Sequence, residues 1–162
     1  MKPATIVQIK KELQTKSESE MLELTLKLAR FKKDNKELLT YLLFEADDEE
    51  DYIKEIKLEI SEGFKDINTS SYYYIKKTVR KVLRNTKKHI RYSKLKQTEV
   101  ELLLHFCLEL ADMEPSFTGN IALRSLMDRT KQQIKTALKG LHEDLQYEYK
   151  RDLDKLKMHL QN

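Results

Sequence analysis

The stretch TEVELLLHFCLELADM, residues 98–113, carries apolar side chains around nearly the whole circumference of a helix. At about 100° per residue, one narrow stripe stays polar, and it consists of Glu101, His105, Glu109 and Asp112. The apolar residues are Val100, Leu102, Leu103, Leu104, Phe106, Cys107, Leu108, Leu110 and Ala111. A helix that is apolar on almost every side has to be covered on almost every side. The stretch therefore predicts a central helix that other helices surround.

The composition of the whole chain favours helices as well. The chain has 162 residues, of which only three are Gly and two are Pro, while 40% are hydrophobic and 36% are charged. So few helix breakers, together with abundant Leu, Lys and Glu, indicate an all-α fold. A chain of this length can bury one core without disulfides. We therefore expect a single all-helical domain over 1–162, with six or seven helices in an irregular bundle or a short αα helical stack.

Capping patterns suggest where the helices begin. Ser17 with Glu20, and Thr98 with Glu101, match the capping box, in which a hydroxyl and a carboxylate satisfy the first backbone N–H groups of a helix. Asn is also a favoured N-cap residue. The predicted helices cover 4–15, 17–31, 36–46 after an Asn35 cap, 47–64, 70–92, 99–113, and a last segment that starts at Ile121 after an Asn120 cap.

The last segment is the longest, because apolar residues recur every three or four positions from Leu123 to Leu160. This predicts a long C-terminal helix over 121–160. Gly140 is its only breaker, and one Gly costs a helix about 1 kcal/mol without having to end it. A continuous helix would be about 60 Å long, more than the width of such a domain. Two alternatives remain: a helix kinked or split at Gly140 that completes the bundle, or a coiled-coil arm that dimerises.

Charge is distributed unevenly along the chain, although its net value is only +4. Residues 45–66 carry ten acidic and three basic groups, whereas residues 67–98 carry ten basic groups and no acidic one. On a helix over 72–92, the apolar residues gather on one face and the cations fill the opposite one. We name the following residues the basic face: Tyr73, Lys76, Lys77, Arg80, Lys81, Arg84, Lys87, Lys88 and Arg91.

Four interpretations of the basic face stay open. It is a solvated surface, or it docks an acidic protein or a second copy of the chain, or it contacts nucleic acid, or it lies on an anionic membrane surface. The predicted acidic helix over 47–64 turns its carboxylates away from the shared core, so only flanking pairs can form, each worth about 0–1 kcal/mol. Phosphates would pair with the cations, and nearby Tyr side chains could stack on unpaired bases.

One candidate for chemistry lies on the polar stripe of the central helix. Glu101, His105 and Glu109 recur every four residues and share a helix face, where carboxylates and an imidazole could bind a divalent metal or exchange protons. The simpler interpretation is the polar strip that any central helix leaves at the surface. The sequence contains no Gly-rich phosphate loop, no HExxH, no G-x-S-x-G and no Cys pair.

These observations predict no cofactor and a non-enzymatic interaction protein that uses the basic face, the long C-terminal helix, or both. The alternatives are a nucleic-acid-associated protein that uses the basic face of 72–92, and a metal or acid–base site on 99–113. The partners that these alternatives predict are another protein, a second copy of the chain or a nucleic acid.

The single cysteine and the hydropathy pattern bear on location. Cys107 cannot form an internal disulfide, and its apolar surroundings predict a buried thiol, which suits a reducing cytoplasm. No window approaches the roughly 18 consecutive apolar residues that indicate a transmembrane helix. The residues after Met1 also lack the apolar stretch of a signal peptide. We therefore expect a cytoplasmic protein without a membrane span.

Overall fold

The computed structural model describes residues 1–159, except for the side chains at 155 and 157–159. Over these residues the chain forms eight α-helices and no strand, with 81% of the chain helical. The all-α prediction is confirmed, and the predicted number of helices, six or seven, was slightly too low. The chain divides into two compact units, Met1–Phe44 and Glu45–Asn162. The expectation of a single domain stays a prediction.

The first unit contains three helices, and its turns are fixed by local hydrogen bonds. They are α1 (Ile6–Leu13), α2 (Glu18–Phe31) and α3 (Lys33–Thr40), followed by a π-helical turn, Tyr41–Glu45. Ser17 and Glu20 form the predicted capping box, with distances of 3.3 Å and 2.8 Å between the backbone nitrogens and the side-chain oxygens. The predicted Asn35 cap is wrong. Its amide donates to the Leu28 carbonyl oxygen at 2.9 Å, which joins α3 to α2.

Very little of this unit is buried. None of the three helices contains a buried residue in the described structure. Tyr41, at 6% exposure, is the one described side chain of the unit that is buried. Helices of this length gain most of their stability from packing an apolar face, so the absence of a core here is a distinct feature of the molecule.

The second unit is built around the helix that the opening stretch predicts. It comprises α4 (Glu49–Lys65), α5 (Tyr72–Ser93), α6 (Lys96–Asp112), α7 (Ile121–Leu138) and α8 (Glu143–His159). A short 3₁₀ turn, Phe117–Gly119, precedes α7, which Asn120 caps as predicted. Helix α6 packs against all four of the others. The prediction of a central helix is therefore confirmed.

The start of α6 differs from the prediction. The helix begins at Lys96, so Thr98 lies in its first turn and makes no capping box with Glu101. Thr98 is fully buried, and its hydroxyl and that of Ser93 both donate to the Glu49 carboxylate. This carboxylate at the start of α4 joins three helices, because α5 ends at Ser93 and α6 begins beside it.

The long C-terminal helix predicted over 121–160 is not found as one continuous helix, and the chain follows the first of the two alternatives, a helix split at Gly140. Helix α7 ends at Leu138 and α8 begins at Glu143, with Gly140 in the break. The Gly140 N–H bonds to the Ala137 carbonyl at 3.0 Å, and the Leu141 N–H bonds to the Leu138 carbonyl at 3.0 Å, which tightens and ends the helix. The second piece packs on α6 instead of continuing outward. Leu160, the last residue of the predicted stripe, lies outside the described residues.

Candidate functional site

Helix α5 carries the basic face on the side opposite its buried stripe. Ile75, Val79, Val82 and Thr86 are buried, which confirms the predicted amphipathic pattern. On the other side, Lys77, Arg80, Lys81, Arg84, Arg91 and Tyr73 are exposed, and Lys76, Lys87 and Lys88 are half-buried. Helices α4 and α6 pack on α5, so the buried stripe holds the cations in a fixed orientation.

The N-terminal half of the basic face is concave. A shallow groove of about 760 Å³ runs along it from the turn before α5. We name its lining residues the basic groove: Asp66, Asn68, Tyr73, Tyr74, Lys76, Lys77, Thr78, Arg80, Lys81 and Arg84. Sequence periodicity does not identify Asp66 and Asn68 as part of this site, because the turn Asn68–Ser70 brings them beside the helix. From Tyr73 to Arg84 the groove is about 16 Å long, at 1.5 Å per residue.

Within the described part of the chain, little protein charge compensates the cations of the basic groove. Among the described residues, Lys76, Lys77, Arg80, Lys81 and Arg84 form no ion pair. Two carboxylates of α4 have partners outside the groove: Glu50 pairs with Lys54 at 3.1 Å, and Glu59 lies 3.6 Å from the His89 ring. Asp66 is the single carboxylate that lines the groove. Its positive potential is therefore largely uncompensated.

The C-terminal half of the basic face has different surroundings. Burial lowers the pKa of Lys87, the nearby charge of Arg129 on α7 lowers it further, and Glu99 on α6 opposes the shift. Lys87 thus belongs to a contact between helices and not to the groove. Arg129 adds a cation near the basic face that sequence periodicity does not identify, because only tertiary packing brings α7 close to Lys87.

Two aromatic rings stand at the entrance of the basic groove. Tyr73 and Tyr74 are 67% and 46% exposed, with ring centroids 5.3 Å apart and planes at 80°. The other tyrosines near this helix have partners: Tyr72 donates its hydroxyl to the Ser116 carbonyl at 2.9 Å, and Tyr92 is buried beside His89. The exposed pair therefore supplies the accessible aromatic surface of the groove.

Three residues of the polar stripe of α6, Glu101, His105 and Glu109, contact α4 or α8, whereas Asp112 is exposed. Glu101 accepts hydrogen bonds from Lys57 Nζ at 2.6 Å, from the Tyr149 hydroxyl at 2.9 Å and from Gln97 Nε2 at 3.2 Å. These donors come from α4, α8 and α6. Glu101 thus links three helices, and its oxygens are already engaged with protein donors.

The other two metal candidates converge on Ser61 of α4. The Ser61 hydroxyl donates to Glu109 Oε1 at 2.5 Å, and it lies 2.9 Å from His105 Nε2. The single hydroxyl proton of Ser61 is used in the hydrogen bond to Glu109, so the His105 ring must donate to the Ser61 oxygen. An imidazole that donates to this hydroxyl cannot act as the base that activates it. Among the described residues, no group of three or more His, Cys, Asp or Glu side chains is arranged to hold a metal ion.

Glu101 makes stability depend on pH. Burial alone would raise the pKa of its carboxyl, but the hydrogen bonds from Lys57, Tyr149 and Gln97 outweigh burial and lower the pKa. The folded state therefore binds this proton less readily than the unfolded chain, whose Glu pKa is about 4.3. The stabilisation is complete above that pH and is lost as the pH falls through the lower folded pKa.

We expect Glu101→Gln to lower the free energy of unfolding by about 2 kcal/mol near pH 7, the usual value of hydrogen bonds to a charged group. The gap between wild type and variant should narrow as the pH falls below about 4, because the wild-type carboxyl is then protonated too. Urea unfolding at a series of pH values measures this gap. A gap that stays constant down to pH 3 contradicts the assigned role of the Glu101 charge.

Cys107 lies in the core of the second unit. It is fully buried in α6, and burial raises the pKa of its thiol to about 12. The thiolate is the reactive form of cysteine, so a thiol with this pKa is unreactive at neutral pH. Cys107 therefore packs in the core as a small apolar side chain.

No protein-family model, no curated protein and no solved structure matches the chain. Among the described helices, none combines the length and the apolar character that crossing a membrane requires.

Proposed function

We propose that the protein is a non-enzymatic helical binding protein that holds single-stranded nucleic acid in the basic groove. The observation that carries this proposal is the presence, in one groove, of two exposed tyrosine rings and five cations that form no ion pair with any described residue. Phosphates bind Lys and Arg, and unpaired bases stack on aromatic rings regardless of their identity. The two kinds of side chain supply both contacts over a length of about 16 Å.

An acidic protein is the closest competitor for the same cations, and the composition of the groove argues against it. Protein interfaces have an apolar centre and are depleted in Lys relative to the rest of the surface. The basic groove contains three lysines, and the only large exposed apolar side chains of α5 are Tyr73 and Tyr74. This composition resembles a phosphate-binding surface more than the centre of a protein interface.

A membrane surface and a projecting C-terminal helix receive less support. An interfacial helix inserts its apolar face among lipids, whereas the apolar stripe of α5 is buried in the core of its own unit. The other interaction surface that the sequence predicts is the long C-terminal helix over 121–160. Its second part, α8, packs on α6 and does not project as a separate arm. The buried thiol of Cys107 supports a reducing compartment, and we propose the cytoplasm.

Binding to a fluorescent single-stranded oligonucleotide tests the proposal. We expect binding at about 50 mM salt, with log affinity falling against log salt at a slope between about −2 and −3.5, for three to five phosphates contacted. Fluorescence anisotropy across a salt series measures the slope. Double-stranded DNA should bind more weakly, because its bases are not available to the tyrosine rings.

A poly-glutamate chain labelled with the same fluorophore is the control for charge alone. Equal affinity for poly-glutamate and for the oligonucleotide would reassign the groove to acidic proteins. No retention of the oligonucleotide at about 50 mM salt would overturn the nucleic-acid proposal directly, since electrostatic binding is strongest there.

A further inference from the structure

A second, smaller cavity lies between α4 and α5, directly beside the basic groove. Its volume is about 160 Å³, and we name it the side pocket. Ile56, Ile60, Gly63 and Val82 form its apolar floor. Three further residues, Asp66, Thr78 and Lys81, line both the side pocket and the basic groove. A strand that follows the groove therefore passes the mouth of the side pocket.

The floor of the side pocket suits a flat ring of limited size. Ile56, Ile60 and Val82 are buried and present apolar surface. A Cβ at Gly63 would lie 2.7 Å from Cγ2 of Val82, so the glycine allows α4 and α5 to approach closely beside the pocket. A protein cavity of about 150 Å³ is large enough to bind benzene. The side pocket thus has room for one six-membered ring, and it is smaller than two fused rings require.

Asp66 is an unexpected residue at the mouth of the side pocket. Among the described residues, its carboxylate forms no ion pair and no hydrogen bond, although Lys81 lines the same mouth. Asp66 follows Lys65, the last residue of α4, and a negative charge is unfavourable at this end of a helix. The carboxylate would also repel the phosphates of a bound strand. An acceptor in this position therefore points to a ligand group that donates hydrogen bonds.

Two other polar side chains complete the mouth. The Thr78 hydroxyl and the Asn85 amide form no hydrogen bond within the described part of the chain, and both can donate. The second carboxylate of the side pocket, Glu59, lies 3.6 Å from Nε2 of His89 and is engaged there. The mouth thus offers an acceptor from Asp66 beside the donors of Thr78 and Asn85.

We propose that the side pocket binds one base of the strand held in the basic groove, and that it selects cytosine. This inference rests on the proposed function of the groove. The volume favours the single ring of a pyrimidine over a purine. A carboxylate only accepts hydrogen bonds, so Asp66 pairs with the amino group at N4 of cytosine, whereas uracil and thymine present the acceptor O4 at the same position. Lys81 lies at the same mouth, where it binds the phosphate of the same nucleotide.

Three fluorescent homopolymers of about ten nucleotides test the selection with the unaltered chain: oligodeoxycytidine, oligodeoxyuridine and oligodeoxyadenosine. Fluorescence anisotropy measures each affinity across a salt series. We expect oligodeoxycytidine to bind at least about tenfold more tightly than oligodeoxyuridine, which is the effect of one good contact to a base edge. Oligodeoxyadenosine should bind no more tightly than oligodeoxyuridine. The three salt slopes should be equal, because the phosphate contacts are the same.

The outcomes separate the side pocket from the groove. Equal binding of the three homopolymers with the expected salt slope leaves the groove its proposed function and overturns the selection of cytosine. Tighter binding of oligodeoxyadenosine than of oligodeoxycytidine overturns it as well. If none of the three binds at about 50 mM salt, the proposed function fails and this inference fails with it.

Asp66→Asn tests whether the carboxylate makes the selection. An amide both donates and accepts, so it can pair with O4 of uracil as well as with N4 of cytosine, and the ratio of the two affinities should fall to about one. Loss of a negative charge from the groove should raise both affinities, and the ratio cancels this effect. The matched control is Glu62→Gln, an exposed carboxylate one turn earlier in α4 that lines neither cavity, and it should keep the tenfold ratio. A cytosine preference that survives Asp66→Asn, or that Glu62→Gln also removes, contradicts the assigned role of Asp66.

Discussion

Replacing Phe106 by Ala is expected to lower the free energy of unfolding by about 4 kcal/mol, the middle of the range for a buried aromatic residue. Phe106 is fully buried in α6, and its ring centroid lies 5.4 Å from that of Phe64 on α4. The substitution removes apolar contacts and leaves a cavity beside α6, the helix against which the four other helices of the unit pack. The neighbouring helices cannot all move inward to fill the cavity, so the cost should not fall below this range.

Urea unfolding followed by circular dichroism measures this change. The control is Leu58→Ala, which truncates a side chain of α4 that is 65% exposed and should cost less than about 0.5 kcal/mol. A loss below about 2 kcal/mol for Phe106→Ala would mean that the core of the second unit is not centred on α6.

The centre of the fold could be predicted from the sequence because a helix that is apolar all round has only one stable environment. The apolar stretch around Phe106 predicts α6, and the period of Val79 and Thr86 predicts the buried side of α5. In both helices the local pattern of apolar residues and the tertiary packing favour the same structure. Ser17 and Glu20 likewise form their capping box because both residues are exposed and have no competing partner outside the turn beyond Lys16.

Local patterns failed where a distant residue offered a stronger contact. Thr98 and Glu101 match a capping box, but Glu49 of α4 accepts the Thr98 hydroxyl and Lys57 donates to Glu101. Neither contact can be inferred from the spacing of Thr98 and Glu101. The break at Gly140 is similar: one Gly costs a helix only about 1 kcal/mol, so the local sequence does not decide between a continuous and a divided helix.

The contact that favours division is the packing of α8 on α6. Tyr149 of α8 reaches Glu101 with its hydroxyl at 2.9 Å, and the stripe of Leu153 and Leu156 is buried. Burial of large apolar side chains contributes about 1.5–3 kcal/mol each, which exceeds the cost of ending a helix at Gly140. A continuous helix would have left this stripe in water.

Helical periodicity predicts the residues of the basic face. It does not predict that the basic groove includes the N-terminal half of this face and excludes Lys87. Helical periodicity places Lys77 and Lys87 on one side of α5, yet only Lys77 lines the basic groove, whereas Lys87 lies near Arg129 and Glu99. This difference depends on the charged side chains that α6 and α7 bring near Lys87. The sequence of α5 alone does not predict them.

Reversing three charges in the basic groove should reduce oligonucleotide affinity by at least about 100-fold at low salt. The variant is Lys77→Glu with Arg80→Glu and Arg84→Glu, three exposed residues that form no ion pair among the described residues. It removes three phosphate contacts and adds repulsion between carboxylates and the backbone of the ligand. Because the side chains face solvent, the fold should be retained. Fluorescence anisotropy measures the affinity, and the salt slope should approach zero.

The matched control is Arg124→Glu with Lys135→Glu on α7 and Lys139→Glu directly after it, which changes the net charge equally at three exposed positions outside the groove. If affinity depended only on net charge, the two triple variants would bind equally weakly, and the groove would lose its assigned role. A third variant, Tyr73→Ala with Tyr74→Ala, separates stacking from charge. It should weaken binding by about 1–3 kcal/mol per stacked base while leaving the salt slope unchanged, because the phosphate contacts remain.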